Sequence, residues 1–481
     1  MARTANTMFE TGLAASEAAP AHETNPQSDR TLSRFDDLIF PKPADGATRT
    51  EPLRLALERH GQFNDGQLAG RLFPIACVAL EVTQRCNLDC TLCYLSDLAE
   101  VVPDVPLDTL LARVDEIHDR FGPNTNVQVT GGDPTLRPIE DLEAVVMRIR
   151  ALGMRSALFT NGIRADRAML ERLAAAGLND VSFHVDTTQD RRGYDGVDET
   201  ALNPVRKSYL ERAAGLGLRV NFNTTLHAGN FGEVPALLEW FIDHADGINL
   251  ASFQMQAETG RGTAGGRADS VTREGLVEMI ERASGGSADF GVFAIGHAEC
   301  NLHASILVAG GRTAPLYGDR SFFRALFERL ARRAEATGAD WNDDRTTVLR
   351  ALGEIALSPS LWPGALRALR ASLLPLIPSL LRARRPHRLS FFIHNFMSAE
   401  ALDRARCESC VFLTITEKGP LSMCAMNADR DANLMADLTP EALARRRTAM
   451  AFKHLKGRLR ARAAETRDSA RADRRTTKGA A

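Results

Sequence analysis

A chain of 481 residues, 44% of them hydrophobic and 25% charged, can build one barrel-sized domain plus a smaller one. Its formal net charge of −2 gives no overall pull toward nucleic acid or an anionic surface. No apolar run reaches the roughly 18 residues of a spanning helix. Eight cysteines, with no secretory signal read at the start, point to a reducing, cytoplasmic compartment and metal ligation rather than disulfides.

Residues 1–50 mix Ala, Thr, Glu, Ser and Pro without periodicity and read as a disordered lead-in. Residues 51–75 read as a helix and turn. From there to about residue 282, short apolar runs alternate with amphipathic segments. Strands are expected at 77–82, 127–130, 156–160, 180–185, 219–224 and 249–254. Leu142, Val145, Val146, Ile149 and Leu152 share one helical face that Gly153 stops, and later helices end near Gly177 and Gly215. Repeated strand–helix units argue for a parallel α/β sheet with right-handed crossovers and chemistry at the carboxyl ends of its strands.

The stretch directly after the first strand organises the chain. Cys86, Cys90 and Cys93 form C-x3-C-x2-C. Three thiolates on one loop can hold three corners of a cubane iron–sulfur cluster and leave the fourth iron open to a ligand. Structural zinc would require four ligands in paired spacings, which this motif does not match.

The motif resembles the signature of the radical S-adenosylmethionine (radical SAM) superfamily. The resemblance implies a partial (β/α)6 TIM-like barrel, with a C-terminal mainly helical extension. It also implies a [4Fe–4S] cluster on Cys86, Cys90 and Cys93 whose open iron is chelated by SAM, and a reductant such as flavodoxin or ferredoxin. Reductive cleavage of SAM would give methionine and a 5′-deoxyadenosyl radical. One departure stands out: the residue before the third cysteine is Leu92 rather than an aromatic, with Tyr94 just beyond. Gly131-Gly132-Asp133-Pro134 looks like the family's Gly-Gly-Glu motif, with Asp133 expected to receive the SAM amine. Polar groups at later strand ends include Asn161, Ser182, Asp186 and Asn223, which the resemblance favours as SAM neighbours. His184 and His227 are acid–base candidates, set against ordinary structural roles.

A second cysteine set, Cys407, Cys410 and Cys424, is completed by the distant Cys300 or by His297, His303 or a substrate atom. It would hold an auxiliary [4Fe–4S] cluster or zinc. Cys77 reads as a buried core thiol. The Gly260–Gly266 run reads as a flexible loop over the barrel mouth. From Ile355 to Ala399 no acidic residue occurs, and arginines alternate with leucines about Pro375 and Pro378. That segment is either a helical cap or a surface for a membrane interface or hydrophobic substrate. The Arg/Lys-rich tail has no series of aromatics interleaved with its charges for base stacking, which argues against nucleic acid.

The expected organisation is a lead-in over 1–50, a radical SAM barrel over 51–290, a helical insertion with auxiliary cysteines over 291–440, and a basic tail over 441–481. The expected activity is functionalisation of an unactivated C–H bond: methylation or C–C bond formation on a small-molecule, lipid-like or pterin-like substrate. The later region resembles, faintly, the pterin methyltransferase and tetraether lipid synthase branch. The alternatives are a peptide-modifying radical SAM enzyme and, in a different class, an iron–sulfur sensor or nucleic-acid-binding protein. The expected location is the cytoplasm, with the inner membrane face as a peripheral site.

Overall fold

The computed structural model describes residues 35–435, apart from 97, 190, 195, 262–266 and 338–343. The first 34 residues and the basic tail lie outside the described residues. Six strand–helix units open the fold. Their strands are β1 (Cys77–Thr83), β2 (Asn126–Gly131), β3 (Arg155–Thr160), β4 (Asp180–His184), β5 (Arg219–Leu226) and β6 (Leu250–Met255). An initial helix α1 (Glu51–Arg59) precedes them. The interleaved helices are α2 (Leu107–Phe121), α3 (Ile139–Ala151), α4 (Arg167–Ala176), α5 (Asn203–Ala213), α6 (Val234–Asp243) and α7 (Arg273–Ala283). All neighbouring pairs from β1 to β6 run parallel.

Local chemistry sets these boundaries. Asp166 caps α4 by accepting the Met169 N–H at 2.9 Å, and Gly177 ends it in the left-handed region at φ 114°. Leu142, Val145, Val146 and Ile149 of α3 are buried against the sheet, each worth roughly 1.5–3 kcal/mol. Cys77 sits in this core, and burial raises its thiol pKa well above the ordinary value.

The region after residue 290 is helical in its middle: α8 (Arg320–Thr337), α9 (Asp344–Leu357), α10 (Trp362–Leu373) and α11 (Ile377–Leu380). It also supplies strands that the sequence reading missed: β7 (Asn301–Ala309), β8 (Arg312–Pro315), β9 (His387–Asn395), β10 (Phe412–Thr416) and β11 (Gly419–Ser422). Three short helices complete it, α12 (Arg404–Glu408), α13 (Met423–Ala428) and α14 (Arg430–Met435). The sheet order is β11-β10-β1-β2-β3-β4-β5-β6-β9-β7-β8. β10 joins β1 and β9 joins β6, both in parallel, so eight parallel strands curve around one lumen.

The sheet does not close by hydrogen bonds between β9 and β10. Rings bridge the seam instead: His394 lies 4.6 Å and Phe392 5.6 Å from Phe412, centroid to centroid. Burial there pushes the His394 imidazole down to about 3, so it stays neutral at pH 7.

Residues 35–50, read as part of a disordered lead-in, are packed. Leu38 and Phe40 are buried, and the Phe40 N–H donates to the Pro420 carbonyl at 2.7 Å. The two apolar side chains outweigh the weak local pattern that suggested a coil.

Candidate functional site

The cysteine loop leaves β1 at its carboxyl end and carries no helix or strand of its own. Tertiary bonds hold it. The Thr91 N–H donates to the Thr188 carbonyl at 2.9 Å, and the Cys86 N–H to the Glu100 carboxylate at 3.1 Å. Cys86, Cys90 and Cys93 are partly exposed, and all three line one cavity with Gly131, Gly132, Asn161, His184 and Thr225.

The two glycines serve the loop's backbone. A Cβ on Gly132 would lie 2.0 Å from the Arg85 carbonyl oxygen, and one on Gly131, at φ 121°, would lie 2.0 Å from that of Thr83. Only glycine allows this approach. The Gly132 and Asp133 N–H groups donate to those same carbonyls at 2.8 Å each.

The Asp133 side chain corrects the sequence expectation. It is fully buried, and its carboxylate accepts from Thr135 N at 3.0 Å, Thr160 Oγ1 at 2.9 Å and Asn161 N at 2.9 Å. Internal donors saturate it, so it ties β2 to β3 instead of facing the cavity to receive an amine.

Asn161 does face the cysteines. Its Nδ2 donates to Asn87 Oδ1 at 2.7 Å and lies 3.8 Å from Cys86 Sγ. Asp186 is buried beneath the cavity and accepts from Thr188 N at 2.9 Å and Thr225 N at 2.8 Å. Its Oδ2 lies 2.6 Å from His184 Nε2. Burial opposes its charge, but the His184 partner and these donors win and hold it well below the usual carboxylate range. His184 thus stands in the cavity wall with its ring fixed by a carboxylate.

Ser182 and Asn223 are placed elsewhere. They line the barrel lumen, a second cavity of about 710 Å³, and not the cysteine cavity. Inward side chains alternate along a strand, and His184 and Thr225, two residues further on, reach the cysteines' level. His227 hydrogen-bonds Thr187 Oγ1 at 3.1 Å and the Gly229 N–H at 3.1 Å, a turn-stabilising role.

The roles of Arg261, Arg430 and Glu81 escaped sequence reasoning. Arg261 donates through Nη2 to Cys93 Sγ at 3.4 Å and through its backbone N–H to the Cys93 carbonyl at 2.9 Å; its guanidinium also pairs with Asp89. Arg430 on α14 is buried and grips both Glu81 oxygens, at 2.8 and 2.9 Å. Its guanidinium lies 4.6 Å over the Tyr94 ring, whose hydroxyl donates to the Gly131 carbonyl. Glu81 was the available signal, as the one charge in an apolar strand that must be paired when buried. Leu92 and Tyr94 both line the cavity.

Burial raises the thiol of Cys86 to about 11 and that of Cys90 further, so ligation by a cation must supply their deprotonation. Among the described residues no group of His, Cys, Asp or Glu is arranged to hold a single metal ion. Three thiols around a common cavity instead suit a multi-iron cluster, which spaces its ligands more widely than zinc.

The second set also gathers. Cys300, Cys407 and Cys424 lie near enough to Cys410 for their charges to raise its pKa, after burial. Burial pushes Cys424 up to about 12. Cys424 opens the first turn of α13 and lines the same cavity as Cys86, Cys90 and Cys93. Cys300 accepts from Arg406 Nε at 3.3 Å. The His303 ring is engaged with aromatic side chains instead, 5.5 Å from Phe293 and 5.9 Å from Phe392, centroid to centroid.

Comparison with known proteins agrees with this geometry. Residues 80–241 match the model of the radical SAM superfamily. PqqA peptide cyclase of Xanthomonas oryzae pv. oryzae (strain MAFF 311018) is 30% identical over 217 residues, 43% of this chain and 55% of that protein. Fe-coproporphyrin III synthase of Methanosarcina barkeri (strain Fusaro / DSM 804) is 30% identical over 168 residues, 34% of this chain and 40% of that protein. The chain thus spans about half the length of the curated relatives it matches. Among solved structures, Streptococcus suis SuiB bound to precursor peptide SuiA covers 50% of this chain and 52% of its own at 17% identity, with a TM-score of 0.36. The three-cysteine loop at the carboxyl end of a barrel strand, on the segment that matches, fits a [4Fe–4S] cluster with SAM: residues 80–241 of this chain form a radical SAM domain.

Proposed function

We propose that this chain is a radical SAM enzyme that takes a hydrogen atom from an unactivated C–H bond of a peptide substrate, with C–C bond formation as the outcome. Cys86, Cys90 and Cys93 would hold the [4Fe–4S] cluster and leave one corner for SAM, and the group would supply the one-electron reduction of a sulfonium that such C–H chemistry needs. The chain's own residues do the rest. Gly132 offers backbone to the cofactor's polar end, Asn161 steadies the loop beside Cys86, and the Asp186–His184 pair presents a fixed imidazole to the cavity. Arg261 and the Tyr94–Arg430 stack shield the cluster from water. Cys300, Cys407, Cys410 and Cys424 would hold an auxiliary cluster.

The observation that carries this reading is Cys424, which lines the cavity that the three loop cysteines also line. A redox centre held there would take up the electron that a C–C coupling must release. The peptide class is supported by the relatives named for peptide cyclisation. The second reading, methylation or coupling of a lipid-like or pterin-like substrate, is favoured by one observation: the exposed leucine-rich surface described below.

Deuterium transfer separates them. Anaerobically reconstituted protein, SAM and a reductant are incubated with either perdeuterated peptides or perdeuterated lipids and pterins. The proposal predicts deuterium in 5′-deoxyadenosine only with the peptide fraction. Transfer from the lipid or pterin fraction alone would establish the second reading instead.

A further inference from the structure

Helix α10 is turned inside out. Trp362, Leu366, Leu369 and Leu373, spaced four, three and four residues apart, form one stripe, and they are 55, 58, 54 and 40% exposed. The opposite face carries small residues and is the buried one: Gly364 and Ala368 pack on α8. A Cβ on Gly364 would lie 2.8 Å from that of Phe322, so this close approach pins the helix with its leucines outward. The apolar surface continues through Leu374 and Leu381, the latter 83% exposed. Of the fifteen exposed large hydrophobic residues among the described residues, twelve fall between 348 and 381. Single exposed leucines need no explanation, but a contiguous field of this size marks an interaction surface.

Charge identifies the occupant. Arg370, Arg382, Arg384 and Arg385 are exposed around this field, and no acidic residue occurs from 355 to 399. A second copy of the chain would set these arginines against their own kind. An anionic bilayer surface would take the leucines into its acyl boundary and the guanidiniums at its phosphates. No described helix is long and apolar enough to cross a membrane, so the surface lies on the bilayer.

We propose that α10 and its flanking turns dock this protein on an anionic membrane surface, with the lower mouth of the barrel lumen beside the bilayer. Val348 of α9 belongs both to the exposed field and to the lumen wall, where Arg388 also stands. Docking therefore places the mouth of a cavity of about 710 Å³ at the interface.

Sedimentation of the full chain with vesicles tests this without any cluster, SAM or turnover, so it stands or falls apart from the proposed reaction. Wild-type protein should pellet with vesicles containing phosphatidylglycerol and stay in the supernatant with pure phosphatidylcholine. Leu366→Glu/Leu369→Glu should abolish pelleting. Arg382→Gln/Arg384→Gln/Arg385→Gln, at three exposed positions, should weaken it on the order of 100-fold, at about 1 kcal/mol per charge. Equal binding to neutral vesicles would overturn the proposal. So would no binding to either, or a dimer that Leu369→Glu dissolves while vesicles leave the wild type in solution.

Discussion

Gly132→Ala is expected to empty the cysteine loop of iron while leaving the rest of the barrel folded. The added methyl would stand 2.0 Å from the Arg85 carbonyl, a backbone atom that cannot swing aside. Relief requires moving the β1–loop junction by about 1 Å, and the residue directly after Arg85 is the proposed cluster ligand Cys86. A displacement of that order costs about 100-fold in rate when it falls on reacting groups. Reconstituted variant should therefore lose the charge-transfer absorbance of the loop cluster and about 100-fold in SAM cleavage. Gly193→Ala is the control: Gly193 also has a positive φ, of 86°, but its methyl would meet nothing within 4 Å. That variant should lose about 1–2 kcal/mol of stability and keep its iron.

Arg430→Met should be the most destabilising single change near the site. It strips the partner from a buried Glu81, which then faces the low-dielectric interior with only Gln84 Nε2 at 2.7 Å to hold it. Removing one member of a buried pair costs about 3–5 kcal/mol, whereas replacing both by apolar groups is often neutral. Urea denaturation should accordingly show a large loss for Arg430→Met and recovery of most of it in Glu81→Met/Arg430→Met. The double variant should still cleave SAM poorly, because Tyr94 loses the cation that packs on its ring beside Cys93. Equal stability of the single variant and the wild type would mean that α14 does not close the cavity.

The six central strands were legible because each is a short apolar run bounded by a helix signal and a glycine, and observed boundaries fall within two residues of those expected. The outer strands were not. β9 carries Arg388, Ser390 and His394 and follows directly on the Leu/Arg helices, so its alternation is hidden. β10 is five residues long, and its pairing of Phe412 with Cys77 joins distant parts of the chain. The site divides the same way. Cys86, Cys90 and Cys93 are legible because their chemistry lies in local spacing. The direction in which Asp133 points depends on Thr160 and Asn161, one unit later, and no local pattern reports it. Ser182 and Asn223 fail for a related reason: sequence gives a residue's face on a strand, but its height in the barrel depends on strand tilt.

The account rests on a cluster with one open corner, held by three loop cysteines and reached by SAM. Electron paramagnetic resonance of the anaerobically reduced protein, with and without SAM, tests it directly. Wild type should show a reduced [4Fe–4S] signal that SAM reshapes, and Cys86→Ala/Cys90→Ala/Cys93→Ala should lose that response while keeping iron at the second cysteine set. A signal indifferent to SAM, or a SAM response that survives in the triple variant, would contradict it.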